Sequence, residues 1–600
     1  MKRLSIPTLL ENTLRRSLHS SAAPVLILAL IGALSYSNTL KVPFIFDDFP
    51  NIVENAFTHD PGNFSSPGKL FGTIQGRRYL GFLTLALNYH FNGTQTAGYH
   101  AVNIIIHISG AVMLYLFMLN ILSQTGGVYR SAKTGMERAT ALFAGALFVS
   151  HPLQTQAVTY IVQRFSSLAA LLFLCSLVTY AAARRADQVA GKAAALYIAS
   201  LVSAFGAFIT KENTVTLPLV LLAYELIFIK QGLKRMAFSV LPFMILATLV
   251  PIQLIYSAPA GKFSIEGILG AVRLDSDMSR WDYLLTESRA LITYLRLILL
   301  PVGQRLVYDY PVYPSISNAV VLMSSVVHVT LVGGAIALIK RPVGRRAACV
   351  AFGVLFFYLT TLVESSVFPI ADVVFEHRAY LPAAGIIIAL TSLSAELYER
   401  MGASRAYMVL PAVLIGVLCF ATFSRNDVWK TELSLWQDNV SKSPSHQMSR
   451  FALADAYYYE NRFDEAIRHY AESIRLDPKH IGSYINMGLS YQTLRQYKNA
   501  ETVYMRAIGI EPGSPVLLVN LANVLGLQGR SDEAISTYLK AIEIAPMFAE
   551  AHYNLGFTYF ETKRFDEALI SFKRALELDP ANSDAASFIN ELQKKEPLPE

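Results

Sequence analysis

FDEALISFKRALELDP, residues 565–580, decides how the end of this chain is built. It reads as an amphipathic helix stopped by a proline. That proline is the last of five spaced 34 residues apart: Pro444, Pro478, Pro512, Pro546 and Pro580. Counting back from each, small and aromatic residues recur at fixed offsets. Leu555, Gly556, Tyr559, Ala568 and Phe572 precede Pro580, and Leu525, Ala534 and Tyr538 precede Pro546. Gly488, Tyr491, Ala500 and Tyr504 precede Pro512, and Ala454, Tyr457, Ala466 and Tyr470 precede Pro478. Small residues belong where two helices touch, aromatics where they interlock, and proline where the second helix must stop. The spacing predicts four helix pairs over 445–600. A last helix at about 582–595 (NSDAASFINELQKK) closes the stack with one polar side, as an end unit should.

A period of 34 residues in this pattern is that of the tetratricopeptide helix pair, so this part reads as a binding solenoid. The rest of the 600 residues is of another kind. The chain is 53% hydrophobic and only 16% charged, with a mean hydropathy of +0.38, which excludes a single soluble domain. Its apolar residues lie almost entirely before about residue 424. They form runs long enough to span ~30 Å of hydrocarbon at ~20 residues each. The net charge of +7 is weak evidence for nucleic acid, because Lys and Arg sit in short clusters between those runs. Cys175, Cys349 and Cys419 all fall in apolar stretches without metal or disulfide spacing and read as core. Lys2, Arg3, Arg15 and Arg16 before the first run imitate a secretory signal, but no small-residue cleavage site follows, which predicts an uncleaved span.

Spans are readable near 23–40, 99–123, 139–152, 166–183, 193–210, 213–229, 237–256, 318–339, 347–363, 380–396 and 406–423. With the N-terminus inside, six basic clusters fall on the cytoplasmic side. They are the N-terminal group, Arg130/Lys133/Arg138, Arg184/Arg185/Lys192, Lys230/Lys234/Arg235, Lys340/Arg341/Arg345/Arg346 and Arg400/Arg405. About eleven crossings then put the solenoid outside the cytoplasm. Residues 283–300 (YLLTESRALITYLRLILL) carry Glu287, Arg289 and Arg296, and are expected to lie at the interface or to enter the membrane only partly. The expected domains are a membrane domain over 1–423, a linker helix over 424–444 and the solenoid over 445–600.

That orientation collects the remaining charges on the outer face. Asp47 and Asp48 are adjacent in FIFDDFPNIVENAF (44–57), and Arg77 and Arg78 open RRYLGFLTLALNYHFN (77–92). His151 ends the third span, Arg164 starts the fourth, and Lys211 and Glu212 separate the fifth and sixth. Glu376, His377, Arg378 and Tyr380 in EHRAYLP lead into the span at 380–396. Each alone reads equally well as a snorkelling or capping residue, Asp47-Asp48 as a solvated loop or N-cap, and His107 as a core histidine. As a set they describe a polar cavity. Transfer of a sugar from a lipid phosphate needs a base for the acceptor proton, worth roughly 10²–10⁴-fold. It also needs cations for the departing phosphate, which arginine grips with two parallel hydrogen bonds. Adjacent carboxylates can also hold a hard cation, so a divalent ion stays open, with no further carboxylate cluster to support it.

On these residues the chain resembles the transmembrane and tetratricopeptide repeat-containing O-mannosyltransferases, and more broadly the GT-C glycosyltransferases that use polyprenyl-phosphate sugars. The matching pieces are FDDFPNIVEN (46–55), LNYHFNGTQTAGYHAVNIIIH (87–107) and HPLQTQAVTYIVQRFSSLAALLFLCSLVTY (151–180). TKENTVTLPLVLLAYE (210–225), YLRLILLPVGQRLVYDYPV (294–312) and FEHRAYLPAAG (375–385) continue the order. The resemblance implies an all-α GT-C-type membrane domain before the solenoid. It implies Asp47 as the acceptor-activating base, Asp48 as an orienting or secondary carboxylate, Arg78 and Arg378 near the lipid phosphate, and Glu376 and His377 on the pocket wall. The sequence departs from the family pattern at Tyr79, where proline is usual, which puts the register of Arg77 and Arg78 in question. It departs again at His377, inserted into a Glu-Arg pair, so that His377 and Arg378 exchange or share a role.

In TFSRNDVWKTELSLWQDNVSKSP (422–444), Trp429 and Trp436 fall two turns apart on an expected helix suited to the outer interface, which would seat the solenoid on the membrane domain. The leading expectation is therefore a membrane glycosyltransferase moving a hexose, mannose by the resemblance, onto a hydroxyl, above all Ser/Thr of a protein held by the solenoid. A glycan acceptor on the same fold, and a non-enzymatic membrane scaffold whose solenoid recruits envelope proteins, are the alternatives. A transporter fits less well, because the charges gather on one face. Compact loops favour a bacterial inner membrane with a periplasmic solenoid, and an endoplasmic reticulum with a lumenal one comes second.

Overall fold

Residues 22–65, 75–123, 134–185, 189–256, 278–341, 344–365, 372–401 and 406–595 are described by a computed structural model. Lys2, Arg3, Arg15, Arg16, Arg130, Lys133 and Arg405, expected in the cytoplasmic clusters, lie outside the described residues. The described secondary structure is helical, and the chain divides into two compact units, 1–431 and 432–600.

Among the described residues of the first unit, eight helices are long and apolar enough to cross a membrane: Thr96–Ser123, Ile161–Ala183, Ala190–Phe208, Glu212–Ile229, Leu233–Gln253, Ala319–Lys340, Glu376–Met401 and Val409–Asp427. Three further expected spans are present as shorter helices, Ala23–Ser35, Thr134–Ser150 and Arg345–Thr361, of 13, 17 and 17 residues. At ~1.5 Å per residue these fall short of ~30 Å unless flanking turns complete the crossing. Arg280–Leu299 is a helix of 20 residues that carries Glu287, Arg289 and Arg296 and is not among the eight.

Small residues let these helices approach. A Cβ on Gly353 would collide with the Gly385 carbonyl oxygen, and one on Gly385 with that of Gly353. The Arg345–Thr361 and Tyr380–Met401 helices therefore touch backbone to backbone, as small residues permit inside a membrane. Around that contact Phe117, Tyr224, Phe228, Phe352 and Phe356 interlock ring on ring. The basic end of the bundle is tied by side chains. Arg184 Nε meets the buried Glu225 carboxylate at 2.6 Å, and Arg345 Nε donates to Ile121 O at 2.7 Å.

The sequence suggests one helix through 424–444, and the structure breaks it. Ala406–Asp427 ends because Asn38 takes over its last turn, donating through Nδ2 to Phe423 O and to Asp427 Oδ1, both at 2.9 Å. Helix resumes at Glu432. Trp429 is thus in the turn, packed 5.8 Å from the Tyr160 ring and buried, and Trp436 on the following helix is buried too, so neither indole is half wet.

The second unit opens with Glu432–Lys442 and then stacks four helix pairs: 447–459 with 463–476, 481–493 with 497–510, 515–527 with 531–544, and 549–561 with 565–578. Ser583–Lys595 follows. Ala466, Ala500, Ala534 and Ala568 are fully buried where the helices cross, with Tyr470, Tyr504, Tyr538 and Phe572 buried beside them. A Cβ on Gly488 would strike the Tyr504 ring, which is why glycine stands there. Each pair turns through one residue in the left-handed region, Asn461, Arg495, Gly529 and Lys563, again 34 apart.

Candidate active site

The sequence-derived charges lie where helices begin or end at the pole of the bundle opposite Arg184 and Arg345. Asp47 and Asp48 follow the first helix through a turn in which Phe46 has a φ of 49°. This left-handed residue, uncommon for a bulky side chain, turns the chain just before the two adjacent carboxylates. Asp48 is fully buried and accepts Ile45 N–H at 3.1 Å and Val162 N–H at 2.7 Å. Burial pushes its carboxyl up to about 8, against the pull of those two N–H groups. Asp47 stays half-buried. Burial raises its carboxyl as well; the Tyr160 hydroxyl beside it and the field of Arg78 lower it, and that of Asp372 raises it.

Opposite Asp47 stands a row of alternating charges. Arg78 Nε and Nη2 lie 3.4 Å from the two Glu212 carboxylate oxygens, with the guanidinium over the Phe165 ring. Arg77 beside it is pushed below its ordinary value by burial. Lys211 Nζ meets Glu364 Oε1 at 3.1 Å and donates to Ser166 Oγ at 3.0 Å. Burial pushes this ammonium down, and the Glu364 carboxylate draws it back up. His377 stacks on Phe375 and lies in the combined field of Lys211, Arg378 and Arg78; its Nδ1 is buried without a hydrogen-bond partner among the described residues. Arg378 donates to Asp372 O at 2.7 Å and Val373 O at 3.1 Å, and Glu364, Glu287, Tyr283 and Tyr294 act on it electrostatically.

Five of the sequence-derived residues turn away from this row. Asp48 is one. Arg164 is fully buried and spends its donors on Asn103 Oδ1 at 2.6 Å and on Thr84 O and Tyr99 O at 3.0 Å. His151 accepts Leu153 N–H at Nδ1 and bonds Ile298 O at 2.9 Å through Nε2. Glu376 accepts Tyr308 OH at 2.8 Å, Gln304 Nε2 at 2.9 Å and Arg305 N–H at 2.7 Å, which pins the 300–308 segment. Tyr380 is buried against His107 Nδ1 at 2.7 Å. Brought together are Asp47, Arg77, Arg78, Lys211, Glu212, His377 and Arg378. Sequence reasoning missed Tyr160, Glu364 and Asp372. The carboxylates could have been found by the rule that found Lys211, since 361–372 (TLVESSVFPIAD) also joins two apolar runs. Among the described residues no group of three or more His, Cys, Asp or Glu is arranged to hold a metal ion.

What this arrangement can do is hold one half-buried carboxylate opposite several cations with donors to spare. Models described as TPR repeat match residues 454–494 and 526–563, and models described as tetratricopeptide repeat match 481–514 and 549–582. Among solved structures, a thermophilic TPR protein from Thermus thermophilus aligns at 22% identity over 30% of this chain and 96% of its own, with a TM-score of 0.25. The Drosophila melanogaster protein O-mannosyl-transferase Tmtc3 is 24% identical over 78% of this chain and 56% of its own length. Human TMTC1, also named protein O-mannosyl-transferase, is 26% identical over the same shares, and human TMTC4 is 25% identical over 77% and 68%. The chain spans about half the length of the first curated relatives it matches. Its likeness, at 24–26% identity over some 78% of its residues, is to proteins named protein O-mannosyl-transferase.

Proposed function

We propose that the chain is an integral-membrane glycosyltransferase of GT-C type. It moves a hexose, mannose by its relatives' name, from a polyprenyl phosphate to a Ser or Thr hydroxyl of a protein, on the extracytoplasmic face. The observation that carries this reading is the placement of Asp47 in the field of Arg78, beside the row of Lys211, His377 and Arg378. Asp47 takes the acceptor proton while the hydroxyl oxygen attacks the anomeric carbon and the bond from that carbon to the phosphate oxygen breaks. Arg78, Lys211 and Arg378 take up the charge of the leaving phosphate, for which fixed cations in a water-poor site serve best. His377 Nδ1 is placed among them to bond a phosphate or sugar oxygen, and Arg77 flanks the row. Glu212 and Glu364 hold Arg78 and Lys211 in place in the absence of phosphate, and Asp48 orients the loop of Asp47. Arg164, His151, Glu376 and Tyr380 support the site from behind. The solenoid holds the protein acceptor. A bacterial inner membrane or an endoplasmic reticulum membrane fits this topology.

The test is Asp47→Asn in membranes supplied with radiolabelled mannosyl-phosphoryl-polyprenol and an acceptor protein. Transfer is expected to fall by about 10²-fold or more, as loss of a general base does, with yield and melting temperature unchanged. Transfer at the native rate would discard the reading in favour of a membrane scaffold.

A further inference from the structure

Glu287 is a buried carboxylate beside the cation row that the reaction above leaves unused. It stands on the helix Arg280–Leu299 and is 1% exposed. Among the described residues neither of its oxygens has a hydrogen-bond partner. The Tyr283 hydroxyl, one turn earlier, is given to Glu364 O at 2.7 Å. A cavity of about 500 Å³ lies alongside, its wall shared by Glu287 with Leu284, Leu291, Val329 and Val332. His328 on the same wall has both ring nitrogens engaged, Nδ1 with Tyr358 OH at 2.8 Å and Nε2 with Ser288 O at 2.7 Å, so it offers the carboxylate no donor.

An unbonded carboxylate is costly in such surroundings, and a residue kept there for packing alone would be apolar. The charged group that acts on Glu287 most strongly is Arg378, whose Nη1 is held by Asp372 O and Val373 O. Burial raises the Glu287 carboxyl to about 7 against the pull of Arg378, so it is mostly ionised at pH 8. With an apolar cavity beside it, little screens the two charges from each other. Glu212 and Glu364 also stand among the cations, but they touch Arg78 and Lys211 directly, where phosphate can displace them. Glu287 is packed in place and cannot be displaced.

The cation row meets two ligands of unequal charge. A polyprenyl-phosphate sugar is a phosphodiester with a single negative charge, whereas the released polyprenyl phosphate is a monoester of charge about −2 above pH 7. The same cations therefore hold the spent carrier more tightly than the donor, and its retention would stall turnover. Energy in a fixed field is proportional to the charge of the ligand, so a fixed anion weakens a dianion about twice as much in free energy as a monoanion. We propose that Glu287 sets the cation row against its own product: acting through Arg378, it loosens the doubly charged spent carrier more than the singly charged donor and so hastens release. Being buried, it is a positioning residue and touches neither ligand. This deepens the function proposed above and rests on its lipid-phosphate donor.

The test measures the Kd of farnesyl phosphate and of its monomethyl ester, which keeps a single charge, for the full chain in nanodiscs at pH 8, with empty nanodiscs as the blank. Glu287→Gln is expected to tighten the phosphate about fivefold and the ester only about twofold, the ratio that a doubled charge demands. Glu287→Asp, which keeps the charge, is expected to bind both as the native chain does. Removing an unbonded carboxylate strands no hydrogen-bond partner, and Glu287→Leu, suited to the apolar wall, is expected to repeat the ratio should the Gln variant fail to fold. Equal tightening of the two ligands, no tightening, or tightening by Glu287→Asp as large as by Glu287→Gln would overturn the proposal. A native chain that binds neither ligand would overturn it together with the donor on which it rests. Asp47→Asn is expected to bind both ligands as the native chain does, so native transfer by that variant alongside the fivefold and twofold shifts would discard the base and leave Glu287 its role.

Discussion

Asp47 and Tyr160 meet at the loop: the Asp47 N–H donates to the phenol oxygen at 2.8 Å, which keeps the phenol hydroxyl beside the Asp47 carboxylate, where it favours the ionised form. One side chain thus fixes where the carboxylate sits and helps keep it ionised against the burial that favours its protonated form.

Tyr160→Phe removes that donor. The lowering influence of the hydroxyl is lost, Asp47 titrates higher, and less of the base is ionised at any acidic pH. The acid limb of the transfer rate is therefore expected to move to higher pH by about one pH unit, the worth of one hydrogen bond to a charged group. A pH–rate profile of the variant checks it, and an unmoved acid limb would show that Tyr160 acts on loop geometry alone.

The neighbouring carboxylate titrates with folding. Asp48 sits at about 8 in the folded chain, above its ordinary value near 4. Between those limits the folded chain holds a proton that the unfolded chain has released, so stability falls as pH rises through that window. Asp48→Asn has no proton to hold. Its melting temperature is expected to decline less from pH 5 to pH 8 than that of the native chain. Parallel slopes would mean that the two N–H groups facing Asp48 keep it ionised throughout.

Asp47 and Asp48 also show how far the sequence reaches. Repeat, helices and charged helix ends follow from spacing and hydropathy, because both depend on residue type alone. Which way a charge faces does not. Neighbouring residues on a turn or helix differ by about 100° in direction, so Asp48 points inward while Asp47 stays open. In the same way, Glu376 pins the 300–308 segment while His377 and Arg378 join the row. Arg164 reads from sequence as a cation for phosphate, yet Asn103 and Tyr99 on one helix and Thr84 on another take three of its N–H donors, a match between distant segments that spacing does not encode. The expected helix through Trp429 failed for a like reason: its terminator, Asn38, lies 385 residues from Phe423.

The left-handed turn residues of the solenoid differ in what they cost. Asn461, Arg495 and Lys563 adopt φ values of 58–61°, where a Cβ is unfavourable, whereas Gly529 at 78° bears none. An L-residue other than glycine loses about 1–2 kcal/mol there. Lys563→Gly is expected to stabilise its helix pair by up to about 1 kcal/mol, and Gly529→Ala to destabilise its own by about as much. Hydrogen exchange on the full chain reads each pair separately; a loss of protection around Lys563→Gly would count against the argument.

Lys211 and Glu364 give the sharpest test of how the cation row works. Their side chains are 7% and 13% exposed and meet at 3.1 Å. Nearly dry, the pair interacts strongly, and either partner left alone is a costly buried charge. The two substitutions should therefore both lower the melting temperature but act oppositely on the donor. Lys211→Met removes a cation that would face the phosphate and is expected to raise the donor KM at least tenfold. Glu364→Gln removes the anion with which phosphate must compete for Lys211, and is expected to leave the donor KM unchanged or lower. Steady-state kinetics with labelled donor separate the two, the melting temperatures serving as the control for folding. If both variants raise the donor KM alike, Glu364 belongs to the donor site itself, and the ion pair is not a placeholder that phosphate displaces.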